Sequence, residues 1–462
     1  MGRERRSRKG VRLAARPLIR DHGPRLRPIE GAPESIDRAR ESLRALVTEA
    51  YAQVVTSAEV LAKHKGVTAG YDQARDRPFA ALSGFAPAVD ALTELPQFVR
   101  AFGEEHGERA TLYFLYDYFK RTDQLTLDEP TFDATFDALI TEIDDPNWTY
   151  VSFANLRGFQ SDDALIDFGD GLTIRHRSLE DLEDMLGWTE WHLGELTRDW
   201  QDGHTASSHV IWVEVVEEKT PQNAIQSSSG YGTRRVLDLL LALQLFAPGD
   251  VTIGAIFSDR AARFEPAGHG LARALGMPGQ IWGGRCTLSA DDAPAIRAIY
   301  DDLVGLRSVP DVPSNVLLAL RRFSSVYTRD FRQREDRIID ELIALEALAG
   351  SGTELRFRLA FRVSSLLGSD DEERLALFDA MKDYYDVRST IVHGGELKTA
   401  ERELAGDDSE LRAIVRRLLR SVIFATVHSD FRLSADYVHK ELDKALLDTR
   451  KRNELREALK LS

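Results

Sequence analysis

The chain has 462 residues, 43% of them hydrophobic and 29% charged, and a formal net charge of −15. That balance excludes a wholly disordered chain, a collagen-like repeat and a membrane-embedded protein, and the acidity argues against coating nucleic acid by bulk charge. The one cysteine, Cys286, excludes an intramolecular disulfide framework and a multi-cysteine zinc site; with no signal-peptide pattern at the start, the expectation is a cytoplasmic protein without membrane association.

Charge is spread unevenly. Residues 1–30 carry a net +7, residues 31–312 a net −21, residues 313–395 a net −2 and residues 396–462 a net +1. Such asymmetry points to separate modules. The expected division is a basic, disordered tail over 1–30, a helical region over 31–147, an α+β module with a sensor or specificity role over 148–312, and a helical domain over 313–462.

In chain order, Leu43, Leu46, Val47, Ala50, Tyr51, Val54 and Val55 recur at helical spacing and predict one long helix over 33–65. Helices follow near 88–120 and 131–143, closed by a turn at Asp145, Pro146 and Asn147. The WTYVSF string from Trp148 is β-rich, and residues 164–175 alternate on both sides of Gly169, Asp170 and Gly171, which predicts a hairpin. Further strands are predicted over 209–217, 251–257 and 280–288, with helices over 178–186, 233–246 and 291–306. The SVPDVP string at 308–313 reads as a linker. Beyond it every segment is helical: 314–331, 335–349, 354–367, 371–393, 408–428 and 431–459, punctuated by glycines as C-caps. The expected fold class is α+β, with a mixed N-terminal region followed by an all-α bundle.

The string DYYDVRSTIVHGG at 383–395 carries the clearest chemistry. Arg388 and His393 lie five residues apart at a helix end. Arginine presents a permanent planar cation to phosphate oxygens. Histidine exchanges protons near neutral pH with a ribose 2′-OH or a leaving oxygen. The pair therefore suits phosphodiester chemistry with neither metal nor cofactor. Five residues on an ideal helix turn about 500°, leaving the two side chains about 140° apart. The long arginine, a frayed helix end or a second protomer has to close that gap. As a string, R-x4-H is common, and a surface arginine beside a packed histidine is its plain reading.

Other segments add specificity: Arg321, Arg322 and Phe323; DRIID at 336–340; IALEAL at 343–348; LRFRLAFRV at 355–363; and YDVRSTIVHGG at 385–395. In this order they resemble an Apea-like HEPN domain, a branch of the HEPN superfamily of helical RNA-associated domains, over residues 313–395. The resemblance implies a bundle that forms a homodimer, so that two R-x4-6-H motifs face one cleft. It also implies, for active members, a metal-independent endoribonuclease, often a toxin or anti-phage effector, with RNA (tRNA among the candidates) as partner. Arg388 and His393 match the motif. Ser389 stands where many members have Asn or another polar residue, as polar support. Glu346 matches an acidic position, with an orienting role toward Arg388 or His393. A second reading is a non-catalytic module that binds RNA or nucleotide, or only dimerises.

RNA also has to be held. Arg412, Arg416 and Arg420 recur every four residues, with Arg417 beside them, and predict a basic, RNA-binding stripe. The alternative is a solvated face paired with Asp407, Asp408 and Glu410. Other features have plainer readings. Glu217 and Lys219 with Asp202 mimic a metal-dependent nuclease core but read as a charged strand end. His204 and His209 lack partners for a zinc shell. Gly230 and Gly232 lack a P-loop lysine. Trp188, Trp191, Trp200 and Trp212 read as packing residues, and Cys286 as a buried hydrophobe.

Overall fold

The computed structural model describes residues 33–64, 73–176, 206–219, 232–260, 272–274, 284–329, 334–350 and 352–461. The tail over 1–30, the helix expected over 178–186 and residues Trp188, Trp191, Trp200, Asp202, His204 and Gly230 lie outside them. The fold is mixed α+β: an antiparallel sheet in the N-terminal half and an all-helical C-terminal region.

Seven helices open the chain: α1 (Pro33–Gln53), α2 (Ala58–His64), α3 (Gln73–Ala80), α4 (Phe85–Thr93), α5 (Pro96–Phe102), α6 (Gly107–Arg121) and α7 (Glu129–Asp144). The single helix expected over 33–65 is thus two. β-branched Val54, Val55 and Thr56 interrupt it, and Ser57 restarts the chain by accepting the Val60 N–H at 3.3 Å. The stretch near 88–120 is likewise three helices, broken at Pro96 and at Gly103, whose φ of +85° suits glycine. Aromatic rings fill this region. Phe79 stacks on Phe119 at 5.8 Å, and Tyr51 meets Phe119 edge-on at 5.4 Å.

The strands are β1 (Asn147–Arg157), β2 (Phe159–Gln160), β3 (Leu165–Asp167), β4 (Leu172–His176), β5 (Ala206–Glu218), β6 (Thr252–Arg260), β7 (Ala272–Ala274) and β8 (Cys286–Thr287). Six form one sheet in the order β3-β4-β5-β1-β6-β7, and β2 pairs with β8 in parallel. The predicted hairpin is present, with Gly169, Asp170 and Gly171 all at positive φ. Register places Phe153 opposite both Trp212 and Phe257, and the rings stack at 5.4 and 5.5 Å. Helix α8 (Thr233–Phe246) crosses this sheet. Gly232 permits the close approach, because a Cβ there would lie 2.4 Å from the Ser152 side chain.

After α9 (Ala293–Leu306) the chain continues as α10 (Ser314–Val326), α11 (Arg334–Ala349), α12 (Leu355–Leu367), α13 (Asp371–Val392), α14 (Thr399–Gly406), α15 (Ser409–His428), α16 (Ala435–Lys440), α17 (Leu442–Leu447) and α18 (Thr449–Ala458). Two buried clusters organise the molecule. One joins the first seven helices to Trp148 and Tyr150. The other runs from Ala154 through α8 and α9 to Leu461. The core is therefore continuous across residues 308–313, and the end of β1 that holds Ala154 and Leu156 shares one interior with the helical bundle. No helix among the described residues is long and apolar enough to cross a membrane.

Candidate active site at the end of α13

Helix α13 begins and ends by rule. Asp370 caps its first turn by accepting the Glu373 N–H at 2.8 Å, and Asp371, Glu372 and Glu373 face the positive end of the dipole. At the other end His393 is the C-cap. Gly394 N–H donates to the Ile391 carbonyl at 3.0 Å and Gly395 N–H to the Thr390 carbonyl at 2.8 Å. This is a Schellman motif with Gly394 at φ +69°. The glycine pair is thereby explained by the helix end, and it leaves His393 exposed beside it.

Arg388 lies about one and a half turns earlier on the same helix. Its Nη2 is 3.5 Å from each carboxylate oxygen of Glu346 on α11. Its guanidinium sits 5.4 Å from the Tyr385 ring centre, and its buried Nε has no hydrogen-bond partner among the described residues. The contact with Glu346 is loose, and the arginine retains donors for a further acceptor. Burial pushes the Glu346 carboxyl up, and the Arg388 charge draws it back down. Two residues before Arg388, Asp386 receives two bonds from Arg356 of α12, at 2.6 and 2.5 Å, which pins this part of α13. Ser389 is half-buried and enters through its carbonyl, which accepts the His393 N–H at 3.1 Å. The structure thus joins Arg388 to Glu346 and sets His393 at the exposed helix end.

The expected basic stripe is corrected. Arg412 is 2% and Arg416 7% exposed, so both face the interior. Arg412 bonds Glu341 at 3.1 Å and also pairs with Asp250 and Asp408. Arg337 joins the same cluster, 3.2 Å from Asp250 and 2.8 Å from Asp408. Arg416 donates to the Gln244 carbonyl at 2.8 Å and to the Tyr327 hydroxyl at 3.3 Å. Four-residue spacing did place these arginines on one face, but that face packs against α8, α11 and the turn before β6. Arg417 and Arg420 remain exposed. Arg417 pairs at 2.8 Å with Glu373, in the first turn of α13. At about 1.5 Å per residue, that end lies roughly 30 Å along the helix from His393. Within one chain, Arg417 therefore does not flank Arg388 and His393.

The remaining candidates have structural partners. Lys219 is 2% exposed, bonded to the Glu142 carbonyl and 4.1 Å from the Trp148 ring centre. It joins the first helices to the sheet. His209 is buried against Phe159, with Nε2 at 3.1 Å from the Asp163 carbonyl, and burial lowers its pKa. Trp212 donates to Glu214 at 2.7 Å. Burial pushes the Cys286 thiol up to about 12, so it is no ready nucleophile. Among the described residues no group of His, Cys, Asp and Glu is arranged to hold a metal ion.

Sequence reasoning missed the buried ion cluster and a groove lined by Arg420, Phe424, His428 and Lys460. The four-residue spacing of Phe424 and His428 on α15 continues that of Arg416 and Arg420 and was a signal for the groove. Comparison with known protein families, with curated proteins and with solved structures finds no match to the chain.

Proposed function

We propose that the protein is a metal-independent endoribonuclease of the HEPN type, a conditional RNA-cleaving effector in stress or anti-phage defence, acting as a homodimer in the cytoplasm. The supporting observation is the end of α13: an exposed histidine five residues after an arginine whose one ion pair among the described residues is loose. In this reading His393 takes the proton from a ribose 2′-OH as that oxygen attacks phosphorus. The bond to the 5′-oxygen breaks, and that oxygen receives a proton from the partner's His393 or from water. Arg388 stabilises the charge on the pentavalent phosphorus. The products are a 2′,3′-cyclic phosphate and a 5′-hydroxyl. Glu346 orients Arg388.

Dimerisation supplies the second motif, which one chain alone does not bring into reach. An exposed apolar strip on α12 and α13 supports such pairing: Phe357, 56% exposed, meets Phe361 and Phe378; Leu375, 65% exposed, lies in the first turns of α13, and Val392, 55% exposed, next to His393. The deciding test is incubation of purified protein with total RNA in EDTA, followed by end mapping. Cleavage that leaves cyclic-phosphate ends and disappears in His393→Ala supports the reading. Cleavage lost in EDTA, or retained in His393→Ala, overturns it.

A second reading rests on the contacts of Arg388 with Glu346 and Tyr385, which give it a packing role without chemistry. There the bundle is a non-catalytic binding or dimerisation module. Growth inhibition on inducible expression that depends on His393 separates the two.

A further inference from the structure

A groove of about 850 Å³ runs between α9, α15 and the end of α18. That size falls within the range of small-molecule sites. One wall is apolar, with Leu245, Ala298, Ile299 and Ile423. Cations share the rest with Phe424, Leu459 and Leu461. Arg416, Arg417, Arg420 and Lys460 line it, against Asp301 and Asp302. Both carboxylates are engaged: Asp301 accepts from Arg297 at 2.8 Å, and Asp302 lies 2.6 Å from His428 Nε2. Arg420 forms no ion pair among the described residues. Although part of Arg420 reaches solvent, desolvation by the groove walls and then the charge of Arg416 hold its guanidinium below its usual value, and Asp302 acts the other way. An uncompensated arginine beside a second cation favours an anion between them.

Lys460 supplies an independent observation. Helix α18 ends in the same motif as α13: Lys460 N–H donates to the Glu457 carbonyl at 3.0 Å and Leu461 N–H to the Arg456 carbonyl at 2.8 Å. The left-handed position that Gly394 fills in α13 is filled here by a lysine at φ +49°. Glycine serves that position best. The ammonium is held 3.8 Å from the Phe424 ring centre, at the groove, and Phe424 in turn packs on His428 at 4.5 Å. A backbone outlier that carries a cation to the groove motivates a functional reading of this lysine.

We propose that this groove binds a phosphate-bearing small molecule, with its phosphate between Arg420 and Lys460 and its less polar part along the Leu245 and Ile423 wall. The site lies toward the end of α13 remote from His393, and it does not depend on the chain's cleaving RNA. Because α9 follows the sheet region in the chain while α15 and α18 belong to the helical bundle, a bound ligand ties the two together.

Isothermal titration calorimetry of the full chain tests this with pyrophosphate, ATP and adenosine as probes. Pyrophosphate and ATP are expected to bind and adenosine not to. Arg420→Ala and Lys460→Gly each weaken binding about tenfold, while His393→Ala leaves it unchanged. Lys460→Gly relieves the backbone as it removes the cation, so weaker binding in a variant with native circular dichroism reports the lost charge. Equal affinity for pyrophosphate and ATP assigns recognition to the phosphates alone, and tighter ATP adds the apolar wall; either supports the site. Absence of binding by both probes at millimolar concentration, affinity unchanged in both variants, or adenosine binding as tightly as ATP, overturns it.

Discussion

The guanidinium of Arg412 closes on the carboxylate of Asp250, 162 residues earlier in the chain. Asp250 stands in the turn that leads into β6, and Arg412 lies in the first turns of α15, so the pair fastens the sheet region to the helical bundle. Arg337, Glu341 and Asp408 complete the cluster, and all of it but Asp408 is at most 2% exposed. Removing one partner leaves an uncompensated buried charge. Arg412→Ala is therefore expected to lower the unfolding free energy by about 3–5 kcal/mol, read from urea melts. A variant with unchanged stability and weakened RNA binding would return Arg412 to the surface role its spacing suggested.

Glu341 gives the cluster a pH dependence. Burial, then the neighbouring Asp408, push its carboxyl well above the usual range, while Arg412 and Arg337 pull it back. A carboxyl raised in the folded state favours folding at low pH, and that contribution is lost as pH rises through the folded-state value. Above about pH 4.5 the loss runs at roughly 1.4 kcal/mol per pH unit until that value is reached. Glu341→Gln carries no such proton. Urea melts at about pH 5 and pH 8 should show wild type losing stability relative to Glu341→Gln as pH rises. Parallel pH curves for the two proteins would contradict this.

Gly394 should be replaceable at a defined cost. A Cβ there meets nothing within 4 Å among the described residues, so the penalty is that of φ +69° alone. Gly394→Ala is expected to cost about 1–2 kcal/mol, and Gly394→Asn less, since asparagine tolerates this region better. Thermal melts of the two variants rank them. If alanine proved the milder change, the helix end would not be set by conformation.

Arg388→Ala should separate chemistry from folding. The ion pair it removes is loose, at 3.5 Å, and Glu346 already has a raised pKa that eases its neutralisation. On the proposed function, RNA cleavage is expected to be lost while stability falls by only about 1–3 kcal/mol, the cost of leaving one partly buried group unpaired. Cleavage at the wild-type rate in this variant would remove Arg388 from the mechanism.

Phe357 reports on pairing between copies. Phe357→Asp places a charge on the exposed strip and should shift sedimentation toward monomer with the melting temperature nearly unchanged. An unaltered sedimentation profile would move the contact elsewhere.

Periodicity and turn chemistry made much of this architecture readable in advance. Residues 233–246 form α8 as predicted, and Gly169, Asp170 and Gly171 build the hairpin turn because their backbone conformations require such residues. Residues 371–392 form one helix whose stop is spelled out by Gly394 and Gly395. Arg388 and Glu346 are 42 residues apart yet touch, a pairing that rested on the family resemblance and not on spacing. Arg412 shows the limit of local reasoning. Spacing places side chains on a common face, but it does not say whether that face meets water, and the partners that bury Arg412 come from Asp250 and Glu341, far away in sequence. The break after Gln53 was obscured for a related reason: Val54 and Val55 continue the apolar pattern while their branched side chains disfavour the helix.

Strand β1 brings Trp148 and Tyr150 into one core and Ala154 and Leu156 into the other. A single strand embedded in both interiors makes their unfolding cooperative. Opening the first seven helices uncovers Trp148 and frays the strand whose far end holds Leu156 in place, so amide protons along β1 should exchange together in one slow class. In this respect the seven helices between Pro33 and Asp144 act as a thermodynamic lock on the sheet that follows.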